Sequence, residues 1–507
     1  MRRKLYLETF GCQMNELDSE LVLGQLRAQG YETVEDRDAA DVILYNTCSV
    51  REHAEQKVWS RLGELRDRKK RDPGVVIGVI GCMAERDGPS LFQRHPHVDL
   101  LCGPGELDKL PGMVHNASVT ATERRSAGAT KRERQVALMG ANARRSGTLE
   151  AAADNLELLD LSRSISPSDD LAQAYVRITR GCNKFCTYCV VPYTRGPEVH
   201  RPPQNVIDEV RRLADAGVRE VTLLGQTVNH YHYRHGDGRT TSFAELLYQV
   251  HEAVPHLPRL RFVTSFPRDF TDEALAAMRD CERICRYLHV PAQSGSDRIL
   301  KLMNRGYTAR QYTDFIERAR AMMPDVSIAS DFIVGFPTET DEDFRQTVEL
   351  LRHCRFKNSF IFKYSPRPGT AAIDRFADDV PEDVKRRRNN ELLAVQQEVS
   401  AENNRQMVGK SVQVLVEGES KLMAKPAYPK APGGGVELLW ERRKASQAES
   451  EQPAELRTQL VGRTRGDRVV VFDGNLSMRG ALLDVEIVDA RSLTLFGRLC
   501  KAAAAPA

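Results

Sequence analysis

No segment of this sequence approaches a run of about eighteen uncharged apolar residues, so no membrane span is expected. The N-terminus, MRRKLYLETFGCQ, starts basic but has no apolar stretch of secretory-leader length. A charge excess is missing too: 73 Lys and Arg against 70 Asp and Glu leave a net +3 over 507 residues. Such a balance does not announce a nucleic-acid binder, and any basic surface must be local. Cysteine is sparse. Eleven are too few for a disulfide scaffold of this length, and the number is odd. These absences leave a cytoplasmic, reducing setting in which thiols serve as ligands. The 41% hydrophobic content is enough for a large core, and the length predicts about two to four domains.

Within residues 1–115, three short apolar runs each end in a cysteine: KLYLETFGC at Cys12, DVILYNTC at Cys48 and GVVIGVIGC at Cys82. Helical patterns such as SELVLGQLRAQG separate them. Alternating strands and helices predict a doubly wound parallel sheet. In such sheets ligands bind beyond the carboxyl ends of the strands, which is where all three thiols fall. One such cysteine alone is an ordinary buried thiol; three at equivalent strand ends favour a shared metal or cluster site.

Residues 116–172 read as a linker, with many small and charged residues and little apolar periodicity. Seven basic residues against two acidic ones, Glu123 and Glu133, within 121–147 also permit a basic arm for RNA phosphate. Over residues 173–405 the alternation resumes. Six strand candidates (AYVRITRG, REVTLLGQ, RLRFVTSF, RYLHVPAQ, SIASDFIVGF and SFIFKYSP) are followed by a helical connection. Six β/α units are short of the full eight and predict a partial, open barrel. Over 406–500 the pattern turns all-β, with SVQVLVEGES, RVVVFDG, GALLDVEIVDA and SLTLFGRL as strands. A small oligonucleotide-binding-like β-barrel is expected, interrupted by an inserted loop at about 422–456, before a disordered tail at 501–507.

At the end of the first barrel strand, GCNKFCTYC places Cys182, Cys186 and Cys189 at x3 and x2 spacing. Structural zinc sites take four closed ligands, and iron–sulfur clusters normally take four thiolates. Three thiolates leave one iron of a four-iron cluster open to a small molecule; a zinc knuckle or three buried thiols are the alternatives. This motif at this place resembles the radical S-adenosylmethionine (SAM) superfamily. The resemblance implies a cluster whose open iron holds SAM and whose reduction yields a 5′-deoxyadenosyl radical. With the N-terminal triple, and with TFGCQMNELDSE, NTCSVREHAEQKV and GCNKFCTYCVVPYTRG, the chain resembles the radical SAM methylthiotransferases over almost its whole length. It is most similar to the branch acting on N6-dimethylallyladenosine of tRNA.

That resemblance implies two [4Fe-4S] clusters, an auxiliary one on Cys12, Cys48 and Cys82 and a SAM-binding one on Cys182, Cys186 and Cys189. It implies two SAM molecules, one as methyl donor and one as radical source, and methylthiolation at C2 of the adenine at position 37, next to the anticodon. It implies a C-terminal TRAM β-domain. Candidate SAM contacts are Tyr188, Gln226, Asn229, Ser265, Gln293, Ser294, Gly335 and Glu339, all just after barrel strands. Candidate RNA contacts are Lys385, Arg386, Arg387 and Arg388 in VKRRRNN, and Arg463, Arg465 and Arg468 on one loop of the β-domain. Expected partners are tRNA and an electron donor such as a flavodoxin or ferredoxin; a monomer in the cytoplasm is the expected state. Cys102, Cys281, Cys285, Cys354 and Cys500 read as structural thiols, and His289 as a barrel histidine that could instead face the site. Two alternatives stay open. One is a sister enzyme acting on threonylcarbamoyl-adenosine or on an aspartate of a ribosomal protein. The other is a non-catalytic iron–sulfur RNA-binding protein.

Overall fold

The structure is a computed structural model that describes residues 3–49, 52–127, 134–140, 148–163, 172–420 and 457–500. It divides into two compact units, Met1–Val399 and Ser400–Ala507, a few residues before the boundary expected at 405.

The first unit opens with a six-stranded, all-parallel sheet. Across the sheet run Glu32–Thr33, Lys4–Phe10, Val42–Thr47, Val76–Gly81, Leu100–Cys102 and Gln135–Ala137. Every residue of Val42–Thr47 and Val76–Gly81 is buried, as strands covered on both faces require. Val42 and Leu44 join Leu17, Leu21 and Val114 on one face; Ile43 and Tyr45 join Val58, Leu62 and Phe92 on the other. The order reverses between Lys4–Phe10 and Val42–Thr47, and the chain leaves these two strands at Cys12 and Cys48. A switch point of this kind opens a crevice at the strand ends.

The stretch 116–172 differs from the linker expected of it. Helix Leu110–Ala127 runs through its start, Gln135–Ala137 supplies the sixth strand, and helix Thr148–Leu161 packs on the barrel. Asp160, fully buried, takes Arg177 at 3.0 Å and also pairs with Arg180, while Glu157 takes Arg201 at 2.8 Å. Glu157 and Asp160, inside the stretch read as a linker, thus form an ion network with barrel arginines. Residues 128–133, 141–147 and 164–171 of this stretch, which include part of the basic arm, lie outside the described residues.

The six barrel strands occur as expected. Gln173–Arg177, Glu220–Leu224 and Arg259–Phe262 form one parallel sheet, and Tyr287–His289, Ser327–Val334 and Asn358–Lys363 another. A parallel bridge from Leu260 to Ile284 joins them. The covering helices are amphipathic and well started: Ser242, Thr308 and Thr340 each form a capping box, a motif that satisfies otherwise unpaired first-turn N–H groups.

In the second unit a closed barrel runs Ser411–Glu419, Arg457–Thr464, Val469–Asn475, Leu495–Leu499 and Leu482–Ala490. Four of these strands match the pattern reading. Arg457–Thr464 is the strand missed, and Arg463 therefore lies in a strand, not on a loop. Its Gly462 is required by close approach, because a Cβ there would sit 2.2 Å from the Leu415 carbonyl. The insertion at 422–456 and the tail at 501–507 lie outside the described residues.

Candidate functional site

Two thiol triads are built in the first unit. Cys12 occupies the N-cap position of helix Gln13–Ala28, Cys48 follows strand Val42–Thr47, and Cys82 begins helix Cys82–Asp87 directly after Val76–Gly81. The backbone brings them together. Cys48 N donates to Phe10 O at 2.9 Å, and a Cβ on Gly11 would come to 2.8 Å from Cys48 Cβ. A buried amide pair braces the triad: Asn15 Nδ2 donates to Asn46 Oδ1 at 2.9 Å, and Asn46 Nδ2 donates to Ser19 Oγ at 2.9 Å. The Cys12 thiol reaches Asn15 Oδ1 at 3.3 Å. A hydrogen bond from Cys48 lowers the pKa of Cys12 to about 6, helped by the nearby Arg195 cation, while burial pushes Cys82 up.

Arg195 is a barrel residue. It follows Cys189 in VVPYTRG, pairs with buried Asp18 at 2.9 Å, and faces both Cys12 and Cys82. Asp18 also takes Arg177 at 2.9 Å. One buried carboxylate thus ties helix Gln13–Ala28 to the barrel and aims a guanidinium at the N-terminal thiols. Spacing alone does not signal this role; only the fold does.

The second triad lies on the loop after hairpin strand Thr179–Arg180. Gly181 has φ 69°, and a Cβ there would meet Pro197 O at 1.9 Å, so only glycine turns the chain into the loop. Cys182 and Cys186 are each 9% exposed. Cys182 Sγ lies 3.8 Å from Thr227 Oγ1, and Cys189 N donates to Cys186 O at 3.0 Å. Burial raises Cys182 and Cys189 above the ordinary thiol range; metal binding to such thiols releases their protons.

The residue that sequence reading missed here is Arg305. Its guanidinium donates to Cys186 Sγ at 3.3 Å, to Tyr188 Oη at 3.3 Å, to Tyr307 Oη at 2.9 Å and to Pro291 O at 2.9 Å. It also lies 4.5 Å from the centre of the Phe266 ring. It is a buried cation that contacts one sulfur of the triad and two phenol oxygens.

The candidate SAM contacts differ in what they have left to offer. Buried Ser265 Oγ and Gln226 Oε1 have no hydrogen-bond partner among the described residues, which is where a polar ligand would be satisfied. Asn229 does not fit the role assigned to it. Its amide is spent on the Phe266 backbone, donating to Phe266 O and accepting from Phe266 N, both at 2.8 Å. Ser294 Oγ is likewise engaged, accepting from Ser296 N at 3.1 Å beside Thr347. Gln293 sits at φ 70° with its N–H on Asp331 O at 2.8 Å. Glu339 accepts from Gly335 N and pairs with Arg388 at 3.0 Å; burial nonetheless lifts its pKa to about 7, and its Oε1 has no partner among the described residues. His289 pairs with Asp331 at 2.9 Å.

The basic residues separate in the same way. Lys385 and Arg388 are buried, the first on Asp378 at 2.6 Å and the second on Glu339 and Asp341, so neither is a surface phosphate contact. Arg386 and Arg387 are exposed. In the second unit Arg463 pairs with Glu417 at 2.9 Å and Asp467 at 3.0 Å; Arg465 and Arg468 are half-buried, Arg468 donating to Asn404. Among the structural thiols, Cys102, Cys281, Cys285 and Cys354 are buried, whereas Cys500 is exposed.

Residues 4–103 match the uncharacterized protein family UPF0004, and residues 176–351 match the radical SAM superfamily. A tRNA-2-methylthio-N(6)-dimethylallyladenosine synthase of Rhodopirellula baltica is 46% identical over 499 residues, covering 98% of this chain and 96% of the relative. The proteins of that name from Porphyromonas gingivalis and Neisseria gonorrhoeae are 42% and 40% identical, over 98% and 99% of this chain and 95% and 100% of theirs. A solved radical SAM methyltransferase, TsrM from Kitasatospora setae, is similar at TM-score 0.47 and 15% identity, covering 73% of this chain and 77% of its own. No helix among the described residues is long and apolar enough to cross a membrane.

Proposed function

The chain belongs to the family of tRNA-2-methylthio-N(6)-dimethylallyladenosine synthases, and from that premise we propose how its residues divide the work. It is a radical SAM enzyme that places a methylthio group on C2 of N6-dimethylallyladenosine in tRNA. The C2–H bond of an adenine is not acidic, so acid–base catalysis cannot open it and a cofactor must supply the hard step.

The two thiol triads fit iron–sulfur clusters: each is a set of sulfur donors at strand ends, partly or fully buried, with a cation close by. Cys12, Cys48 and Cys82 hold the auxiliary cluster; Cys182, Cys186 and Cys189 hold the SAM-binding one. When bound, these groups supply the transferable sulfur and, with SAM, the radical that removes the C2 hydrogen. The chain's own residues do the rest. Arg305 orients the Cys186 sulfur and balances its charge. Arg195 does the same for Cys12 and Cys82, and by reaching across from the barrel it fixes the spacing of the two triads. Ser265 and Gln226 offer unspent polar atoms to SAM, and Glu339 offers its open Oε1, while Asn229 positions the Phe266 turn. Exposed Arg386 and Arg387 take phosphates of the anticodon loop, where splayed bases are readily reached, and Arg465 is a separate candidate for RNA phosphate on the second unit. The modified nucleoside is at position 37. A small flavodoxin-like or ferredoxin-like protein supplies electrons, and the enzyme works as a cytoplasmic monomer.

The observation that carries this reading is a barrel arginine, Arg195, facing the N-terminal thiols beside a separate three-cysteine loop. Anaerobically reconstituted protein with dithionite, SAM and dimethylallylated tRNA tests the division of labour. Cys12→Ala should still form 5′-deoxyadenosine yet give no methylthio product; Cys182→Ala should give neither. Full product from either variant would refute it.

A further inference from the structure

Three histidines that the reaction above does not use meet beside the Cys182 loop. His200 ends the short strand Val199–His200, His230 closes the turn Val228–His230, and His232 begins strand His232–Arg234. One ring nitrogen of each lies within 4.8 Å of the other two. The His200 and His232 rings are 4.6 Å apart between centroids, and those of His230 and His232 5.5 Å. Beneath them lies Glu198, whose side chain is only 2% exposed and whose Oε2 takes the Nδ1 of His230 at 2.8 Å. That bond fixes the tautomer and leaves the Nε2 lone pair of His230 outward. Two buried polar atoms remain without a hydrogen-bond partner among the described residues, Glu198 Oε1 and His200 Nδ1. Buried orphans of this kind call for an explanation, and a cation held by the imidazoles would engage the His200 nitrogen. A carboxylate behind a histidine is also the usual support for a metal-ligating imidazole.

We propose that His200, His230 and His232 form a mononuclear site for a zinc-type divalent cation, with Glu198 as the carboxylate that orients His230. An all-imidazole donor set suits zinc and has no sulfur, so it is distinct in kind from the two thiol triads. Bonds of about 2.0–2.1 Å need nitrogens roughly 3.4 Å apart in a tetrahedral site, and exposed His232 has the freedom to close that distance. The site would act as a clip. Cys182 N donates to Gly196 O at 3.1 Å, Glu198 N donates to Asn183 Oδ1 at 3.3 Å, and Thr227 Oγ1 lies 3.8 Å from Cys182 Sγ. A metal bridging His200 to His230 and His232 therefore ties together the two segments that flank Cys182.

The test uses the full chain with both clusters reconstituted. It is dialysed anaerobically against zinc sulfate and then zinc-free buffer, with metal content and zinc-edge X-ray absorption as readouts. The wild type should retain one zinc per chain with a nitrogen shell at about 2.0 Å. His232→Gln, at an exposed position where folding is not at stake, should weaken zinc binding by at least tenfold with iron unchanged. Glu198→Gln should weaken it by about 10–100-fold. No zinc retained by the wild type overturns the proposal. So does equal binding by a His230→Ala/His232→Ala double variant, or a sulfur shell near 2.3 Å, which would put the metal on cysteines.

Discussion

Arg305 gives the sharpest quantitative handle on the SAM-binding triad. Replacing it with Met keeps most of the buried volume and removes the cation that donates to Cys186 Sγ at 3.3 Å. Coulomb's law at that distance and an effective dielectric constant of 20 sets a ceiling near 5 kcal/mol. A hydrogen bond from a charged donor is worth roughly 1.5–3 kcal/mol. Reducing a cluster adds negative charge near that sulfur, so losing the cation makes reduction harder. If the whole hydrogen bond favours the reduced state, the midpoint falls by about 65–130 mV, taking ~59 mV per tenfold change for one electron. The assay is an EPR-monitored redox titration in a Cys12→Ala/Cys48→Ala/Cys82→Ala background, which leaves the SAM-binding cluster alone. Arg305→Lys keeps the charge and should recover most of the shift. A change under ~20 mV, or an upward one, at full iron content would refute the role given to Arg305.

Gly181→Ala puts a Cβ 1.9 Å from Pro197 O at φ 69°; its iron content should fall by about half, to the share held by the N-terminal triad, as an iron assay will read. Asp160→Asn leaves Arg177, Arg180 and Arg201 around a neutral group. Breaking a buried pair costs about 3–5 kcal/mol, so the thermal midpoint should drop by several degrees; an unchanged midpoint would restore the linker reading of that helix. Glu339 has a folded pKa raised to about 7, chiefly by burial. The folded state holds its proton more tightly than the unfolded one, so its contribution is full below about pH 4.5 and is lost as pH rises through 7, worth about 3 kcal/mol in all. Glu339→Gln should flatten that stretch of the stability–pH profile, measured by thermal unfolding.

What the sequence discloses is what local pattern encodes. Three apolar runs that each end in cysteine, and six β/α units with a CxxxCxxC loop after the first, place both triads at strand ends. What stays hidden depends on partners far along the chain. Helix Thr148–Leu161 reads as solvated because Glu157 and Asp160 acquire their arginines only when the barrel folds against it. Strand Arg457–Thr464 has weak alternation, with Leu460 as its one fully buried apolar residue; closure of the barrel, not local propensity, makes it a strand. Lys385 and Arg388 look like a basic surface run, yet helical spacing turns them inward onto Asp378 and Glu339 while Arg386 and Arg387 face out. Asn229 sits at a strand end like a ligand contact, and only the Phe266 backbone reveals that its amide is spent. Arg195 lies within GCNKFCTYCVVPYTRG, yet nothing in its spacing points it at Cys12 and Cys82, and Arg305 carries no motif at all.

The central claim is most directly tested in cells that lack their own methylthiotransferase but still dimethylallylate tRNA. The chain is expressed there, and the tRNA nucleosides are read by mass spectrometry. The account predicts 2-methylthio-N6-dimethylallyladenosine with the wild-type chain and none with Cys182→Ala. Its absence with the wild type, in cells where the iron-loaded protein cleaves SAM, would contradict the assigned substrate; its persistence with Cys182→Ala would contradict the assigned chemistry.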